Sequence, residues 1–495
     1  MMTMPRRLAK LFTYLCLLVV TVPATIVLVY AIQARARLPE LHAWHTVRLK
    51  QEFRAGRSDM PTTFEEYLGL EAQLFADLRQ RVLDDPAAAD TETLSRYNPR
   101  SIVASLALDS PYNRSFELVP EGEPRGAALL VHGLSDSPYS MRAIAQTLVG
   151  QGYYVLVLRM PGHGTLPSEL LDVSWEDWYG AVVLAAKYAV SRVGAEKPFL
   201  AGGHSTGAAL LTLYSLRSLT DSSLPRPRQL YLVSAAIGVS PFAVLTDFIS
   251  GLAFIPAFEK SGWMDVLPEY DPYKYNSFPV NAASQIYRLT VEIQRKLDDL
   301  VPTGLLESMP RVHIFQSIVD ATVTANQVAR GLLLRLPAGG HELVVFDINR
   351  KELLQGLIAP GPIEDLERLR NAVDLPFRVT LVANVARDSE LMAEYIREAG
   401  ASSVTVKELP LTWPKGVFSL GHVSLPFPID DPVYGLTPAT GAGPDYHLGA
   451  VVARGEPGAL VVGLGAFSRL RSNPFFEVIR KDIIATLAGD GEPAP

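Results

Sequence analysis

The sequence predicts an α/β fold, a mostly parallel sheet with helices on both faces. Three observations predict it. From about residue 112, short apolar runs of strand length alternate with segments of helical periodicity. Glycine turns close several of these runs, and Gly203-His204-Ser205-Thr206-Gly207 fits G-x-S-x-G, a strand-to-helix turn that holds a serine in a strained conformation. The composition, 48% hydrophobic and 20% charged over 495 residues, supports a large core.

Residues 11–32, LFTYLCLLVVTVPATIVLVYAI, run 22 positions without a charge. As helix they span ~33 Å, which matches the ~30 Å hydrocarbon thickness of a bilayer. A cleaved signal has a shorter apolar region, so an uncleaved signal anchor is expected. Arg6, Arg7 and Lys10 precede it, which puts residues 1–10 in the cytoplasm and the body on the other side. Cys16, the single cysteine, lies in this run, so no intrachain disulfide can form.

Residues 33–100 read as a helical stalk or N-terminal extension. Thr63 and Glu66 form a capping-box pattern ahead of Tyr67, Leu70, Leu74 and Phe75. The main domain, 101–495, then gives the strands RSFELVP, GAALLVHG, YYVLVLR, PFLAGG and LYLVSA, with helices across 139–150, 175–193 and from Thr206. A cap is expected at about 236–290, where FAVLTDFISGLAFIPAF is more apolar than a solvent-facing loop. HIFQSIVDATV runs as a strand into Asp320. An insertion at about 342–409 carries a strand signal in RVTLVANV and a helix signal in SELMAEYIREAG.

A net charge of −7 with no extended Lys/Arg run argues against nucleic acid as a partner. The nine histidines are scattered, with no cluster at metal-ligand spacing, so no metal is expected, and the serine chemistry read below requires no cofactor. Oligomeric state is not legible.

LLVHGLSDSPYS at 129–140, RMPGHGTLPSE at 159–169, the Ser205 turn and SWEDW at 174–178 together resemble the α/β-hydrolase superfamily. Within it they are most similar to the monoglyceride-lipase and bacterial-carboxylesterase group, from about residue 112 to 325. The resemblance implies Ser205 as nucleophile in an elbow with Gly203, His204 and Gly207. It also implies an oxyanion hole from the backbone N–H groups of Leu134 and Thr206, and Asp320 as the acid, with Asp347 the alternative. A serine hydroxyl attacks only when a histidine takes its proton, and a carboxylate must orient the imidazolium so formed. His132, His163 and His204 read as structural.

The catalytic histidine has three candidates. His422 follows the apolar-rich SVTVKELP and the turn LTWPKG, the strand-then-loop order that the fold requires. His341 precedes its apolar run, and His447 opens one. His422 is the choice. The expected function is a membrane-anchored serine hydrolase cleaving lipid-like carboxylic esters. An acyltransferase using the same acyl-enzyme, or a non-catalytic binding module at the membrane, is the alternative.

Overall fold

The computed structural model describes residues 6–238, 256–351, 357, 360–439, 446–451, 462–463 and 465–489. Ten strands form the main sheet, in the order β1-β3-β2-β4-β5-β8-β9-β10-β11-β12. In sequence these are β1 Phe116–Leu118, β2 Gly126–Val131, β3 Tyr153–Leu158, β4 Phe199–His204, β5 Gln229–Val233, β8 Arg311–Ser317, β9 Glu342–Phe346, β10 Arg378–Asn384, β11 Leu391–Arg397 and β12 Thr405–Thr412. The strands β6 Trp263–Asp265 and β7 Phe278–Pro279 pair separately. All neighbours from β3 across to β10 are parallel, while β1, β11 and β12 join antiparallel at the two edges.

Every residue of β2, β3, β4 and β5 is buried. Strands covered on both faces need apolar side chains pointing both ways, which is why these segments read as continuous runs and not as alternations. The helices Trp175–Ser191, Thr206–Ser218 and Val280–Leu300 cover one face. Arg142–Gly150 and Phe476–Gly489 cover the other. The winding reverses at β2, whose neighbours are β3 on one side and β4 on the other. Crevices open at the carboxyl ends of strands at such reversals, and there the turns after β2 and β4 meet.

The N-terminal extension is built into this core. Phe64–Leu78 is helical, capped by Thr63 and Glu66 as the pattern predicts, and Phe64, Tyr67, Leu74 and Leu78 are nearly inaccessible. Arg159, at the end of β3, is fully buried and is held by Glu52 and Glu71, each at 3.0 Å.

The helix Arg6–Arg37 contains residues 11–32 without a break. Several of its side chains, that of Cys16 included, lie outside the described residues. Among the described residues, no helix is long and apolar enough to cross a membrane. At its C-terminal end Ala31 and Ala34 are buried, and Tyr30 Oη donates to the carbonyl of Trp263 at 3.2 Å.

Two expectations differ in outcome from the sequence reading or cannot be followed. SELMAEYIREAG, read as helix, contains β11, which pairs with β10 along one edge and β12 along the other. Ladders on both sides outweigh the local helix preference of Leu, Met, Ala and Glu. Residues 239–255, which hold most of the apolar stretch expected in the cap, lie outside the described residues.

Candidate active site

Ser205 stands between β4 and the helix Thr206–Ser218 with φ 52° and ψ −109°, a left-handed conformation that L-residues rarely adopt. The flanking glycines permit it. A Cβ on Gly203 would lie 2.5 Å from the nitrogen of Ala208, and one on Gly207 would lie 2.1 Å from the carbonyl oxygen of Val131. The strain lifts the hydroxyl to the carboxyl end of the sheet, and the N–H of Ser205 is tied to the carbonyl of Val233 at 2.9 Å.

Asp320 follows β8. Its Oδ1 accepts from the N–H groups of Thr322 and Val323 at 2.9 and 3.0 Å, and its Oδ2 accepts from Gln316 Nε2 at 2.9 Å. His422 comes from much further along the chain. After the edge strand β12 the backbone returns across the carboxyl ends of β9 and β8. Asn349 donates through its N–H to the carbonyl of Phe418 and through Nδ2 to that of Val417, at 2.8 and 3.0 Å, and Ser317 Oγ donates to that of Leu420 at 2.8 Å. The return delivers His422 with Nδ1 2.7 Å from Asp320 Oδ2 and Nε2 2.9 Å from Ser205 Oγ. The imidazole therefore donates from Nδ1 to the carboxylate and accepts the serine hydroxyl at Nε2.

Burial lowers the His422 imidazole below its ordinary value, and the hydrogen bond it donates to Asp320 offsets only part of that. Burial pushes the Asp320 carboxyl up, but His422 and the two N–H groups outweigh it and leave the group below the usual carboxylate range. Such a pair keeps the base neutral and the acid ionised near pH 7, as removal of a proton from serine requires. Leu134 lines the cavity beside Ser205. Thr206 opens its helix, so its N–H has no intrahelical acceptor.

The other sequence candidates lie elsewhere. His341 Nδ1 accepts from the N–H of Val312 at 3.1 Å, at the opposite end of the sheet. His447 donates to the carbonyl of Pro432 at 2.8 Å, and Asp347 pairs with Arg350 at 2.8 Å. His132 donates to the carbonyl of Gly133 and accepts from the N–H of Met160, which fixes the turn after β2. His163, held by the carbonyl of Pro161 at 3.0 Å, is lowered to about 4 by burial. His204 does more than fill space. Its ring lies between Asp136 Oδ2, 3.2 Å from Nδ1, and the carbonyl of His422, 3.3 Å from Nε2, so it braces the loop that carries His422.

Residues 128–433 match the model of the Alpha/beta hydrolase family, more than half of the chain. The chain belongs to this family. The alpha/beta-hydrolase fold accounts for the central sheet, the serine after β4 and the carboxylate after β8. The chain is similar to the thermostable monoacylglycerol lipase of Bacillus sp. (strain H-257), 27% identical over 195 residues, which is 39% of this chain and 73% of the relative. Among solved structures it is similar to a soluble variant of monoglyceride lipase from Saccharomyces cerevisiae, 14% identical over 47% of this chain and 82% of the other, TM-score 0.36. It is also similar to the monoacylglycerol lipase of Paleococcus ferrophilus, 16% identical over 47% and 88%, TM-score 0.35.

This hydrolase has a cavity of 550 Å³ over Ser205 and His422, whose apolar wall includes Leu134, Met264, Phe278, Ile286, Val323 and Val423. Its charged lining, Asp136, Asp265, Lys274 and Arg469, went unread in the sequence. Only Asp136 gave a signal there, as an acid in the LSDS turn after His132-Gly133. Away from the site, His313, Glu342 and Asp482 approach closely enough to hold a metal ion, although the histidines are scattered in sequence. His313 donates to Asp482 at 3.0 Å and Thr380 Oγ1 to Glu342 at 2.6 Å, so these groups satisfy one another.

Proposed function

We propose that the chain is a serine hydrolase that cleaves carboxylic esters, lipid-like on the acyl side, through an acyl-serine intermediate. The observation that carries this reading is the unbroken line of hydrogen bonds from Ser205 Oγ through His422 to Asp320, at 2.9 and 2.7 Å. His422 Nε2 takes the hydroxyl proton as Ser205 attacks the ester carbonyl. The N–H groups of Leu134 and Thr206 receive the oxyanion, each such donor being worth ~2.7–4 kcal/mol. The imidazolium then gives its proton to the departing alcohol. Water then attacks the acyl carbonyl as His422 takes its proton, and the imidazolium returns that proton to Ser205 Oγ as the acyl–oxygen bond breaks and the acid leaves.

The apolar cavity wall suits an acyl chain, and the relative from Bacillus acts, by its name, on monoacylglycerols. We place residues 11–32 across a membrane with the body on the non-cytoplasmic side. Support comes from their uncharged length and from the basic residues that precede them. The contact of Tyr30 with β6, whose Met264 lines the cavity, would hold the catalytic body close to that membrane.

A fluorophosphonate probe tests the chemistry. Covalent labelling of the wild type, lost in Ser205→Ala together with ~10⁴-fold or more of kcat on a soluble ester, is expected. Equal labelling of both proteins would overturn the reading. Retention in membranes through high salt and carbonate washing is expected of the anchor, because a span is not an electrostatic contact. Release at high salt would refute it.

A further inference from the structure

Two cations of separate origin stand at the catalytic centre. Lys274 and Arg469 both line the cavity that contains Ser205 and His422. Arg469 lies against the loop of the catalytic histidine, its Nε 3.9 Å from where a Cβ on Gly421 would be. Lys274 lies 3.4 Å from Asp136 Oδ1, in the turn after β2.

Two of the three acids near these cations are already engaged. Asp320 accepts from Thr322, Val323, Gln316 and His422. Asp136, with its side chain 8% exposed, is shared between His204 and Lys274. Asp265, on β6, is exposed and forms no ion pair with either cation among the described residues. Arg469 has no hydrogen-bond or ion-pair partner among the described residues. Arg469 is exposed at the mouth of the cavity and feels the Asp320 and Asp136 carboxylates only through space, so its guanidinium is free to form hydrogen bonds with an anion that enters.

We propose that this anion is carried by the substrate, an ester whose alcohol part bears an anionic group, phosphate or carboxylate. The argument for the alcohol part is positional. The departing oxygen must lie within reach of His422 Nε2 to receive its proton, so the remainder of the alcohol extends along the wall formed by Arg469 and the His422 loop. A guanidinium meets a phosphate or carboxylate with two parallel N–H donors, and Lys274 adds a point charge in the same cavity. The acyl chain takes the apolar wall. This inference rests on the reading of Ser205 as the nucleophile.

The test compares three esters of one acyl chain on the full-length protein: 1-decanoylglycerol, 1-decanoylglycerol 3-phosphate and O-decanoyl glycerate. The phosphate and carboxylate arms separate the two sources of charge. The expected result is a kcat/KM for at least one anionic ester about tenfold or more above the neutral one. That ratio should fall by a similar factor in Arg469→Gln and in Lys274→Gln, chiefly through KM, and be partly kept in Arg469→Lys. Equal or better turnover of the neutral ester, or a ratio unchanged in the Arg469→Gln/Lys274→Gln double variant, would overturn the proposal and leave the hydrolase reading standing. Failure of the wild type on all three esters, with no labelling by the phosphonate, would overturn both.

Discussion

On the mechanism proposed, the proton between Ser205 and His422 sets the pH range in which the site works. Turnover needs the neutral imidazole, and burial lowers that group below the ordinary 6.5. The acid limb of kcat/KM is therefore expected below pH 6.5, with activity kept as pH falls toward that limb and lost beneath it. A titration of kcat/KM from pH 4.5 to 8 checks this. In Asp320→Asn the ring loses the partner that raises its pKa and fixes its tautomer, and a fall of ~10⁴-fold in kcat is expected. His422→Ala should abolish turnover and acyl-enzyme formation, whereas His341→Ala, altered at the far end of the sheet, should keep most activity. Gly207→Ala would press a methyl group onto the carbonyl of Val131, 2.1 Å away, and a loss of about 1–3 kcal/mol is expected in a denaturant melt. At this scale the sequence was readable wherever the chemistry is local. Ser205 with its glycines, and Asp320 at its strand end, each sit inside one short motif. Lys274 and Arg469 are joined to the site only by tertiary folding, and no local pattern marks them.

Among the elements, the return from β12 to His422 decides whether the site is assembled. It is held by two residues that do not line the cavity: Asn349 donates through its backbone N–H to the carbonyl of Phe418 and through its side chain to that of Val417, and the Ser317 side chain donates to that of Leu420. Trp413 sits edge-on to Phe475 at its start, with ring centroids 4.7 Å apart. Asn349→Ala is expected to cut kcat by about 10- to 100-fold, since displacements near 1 Å in a catalytic group cost that much. A thermal melt by circular dichroism should change little, which separates a misplaced histidine from an unfolded protein. The strand-then-loop order around His422 was legible in sequence. The path was not: β12 lies at the sheet edge, and β11 before it carries residues that favour helix. Pairing partners on both sides decide such a segment, and a single window of sequence contains neither partner.

Across the whole molecule, the N-terminal extension and the sheet share one core, and their junction is the buried Arg159 with Glu52 and Glu71. Removing one partner strands a charge with no access to water. Glu52→Ala is expected to cost about 3–5 kcal/mol in urea unfolding, and a truncated body should remain stable when cut near residue 38 but not when cut beyond residue 71. The capping box at Thr63 was legible in advance, but its destination, the helix Trp175–Ser191 and the end of β3, was not, because amphipathic spacing gives a face and not a partner. The long return to the site also has a consequence in time. His422 lies 102 residues after Asp320 and 217 after Ser205. At a synthesis rate of about 5–20 residues per second, the ribosome adds the histidine roughly 5–20 s after the acid. Through that interval the nascent polypeptide carries a serine with no base to activate it. Chains stalled before residue 422 should resist the phosphonate probe and those released whole should react, so the machinery that makes this protein handles a dormant chain.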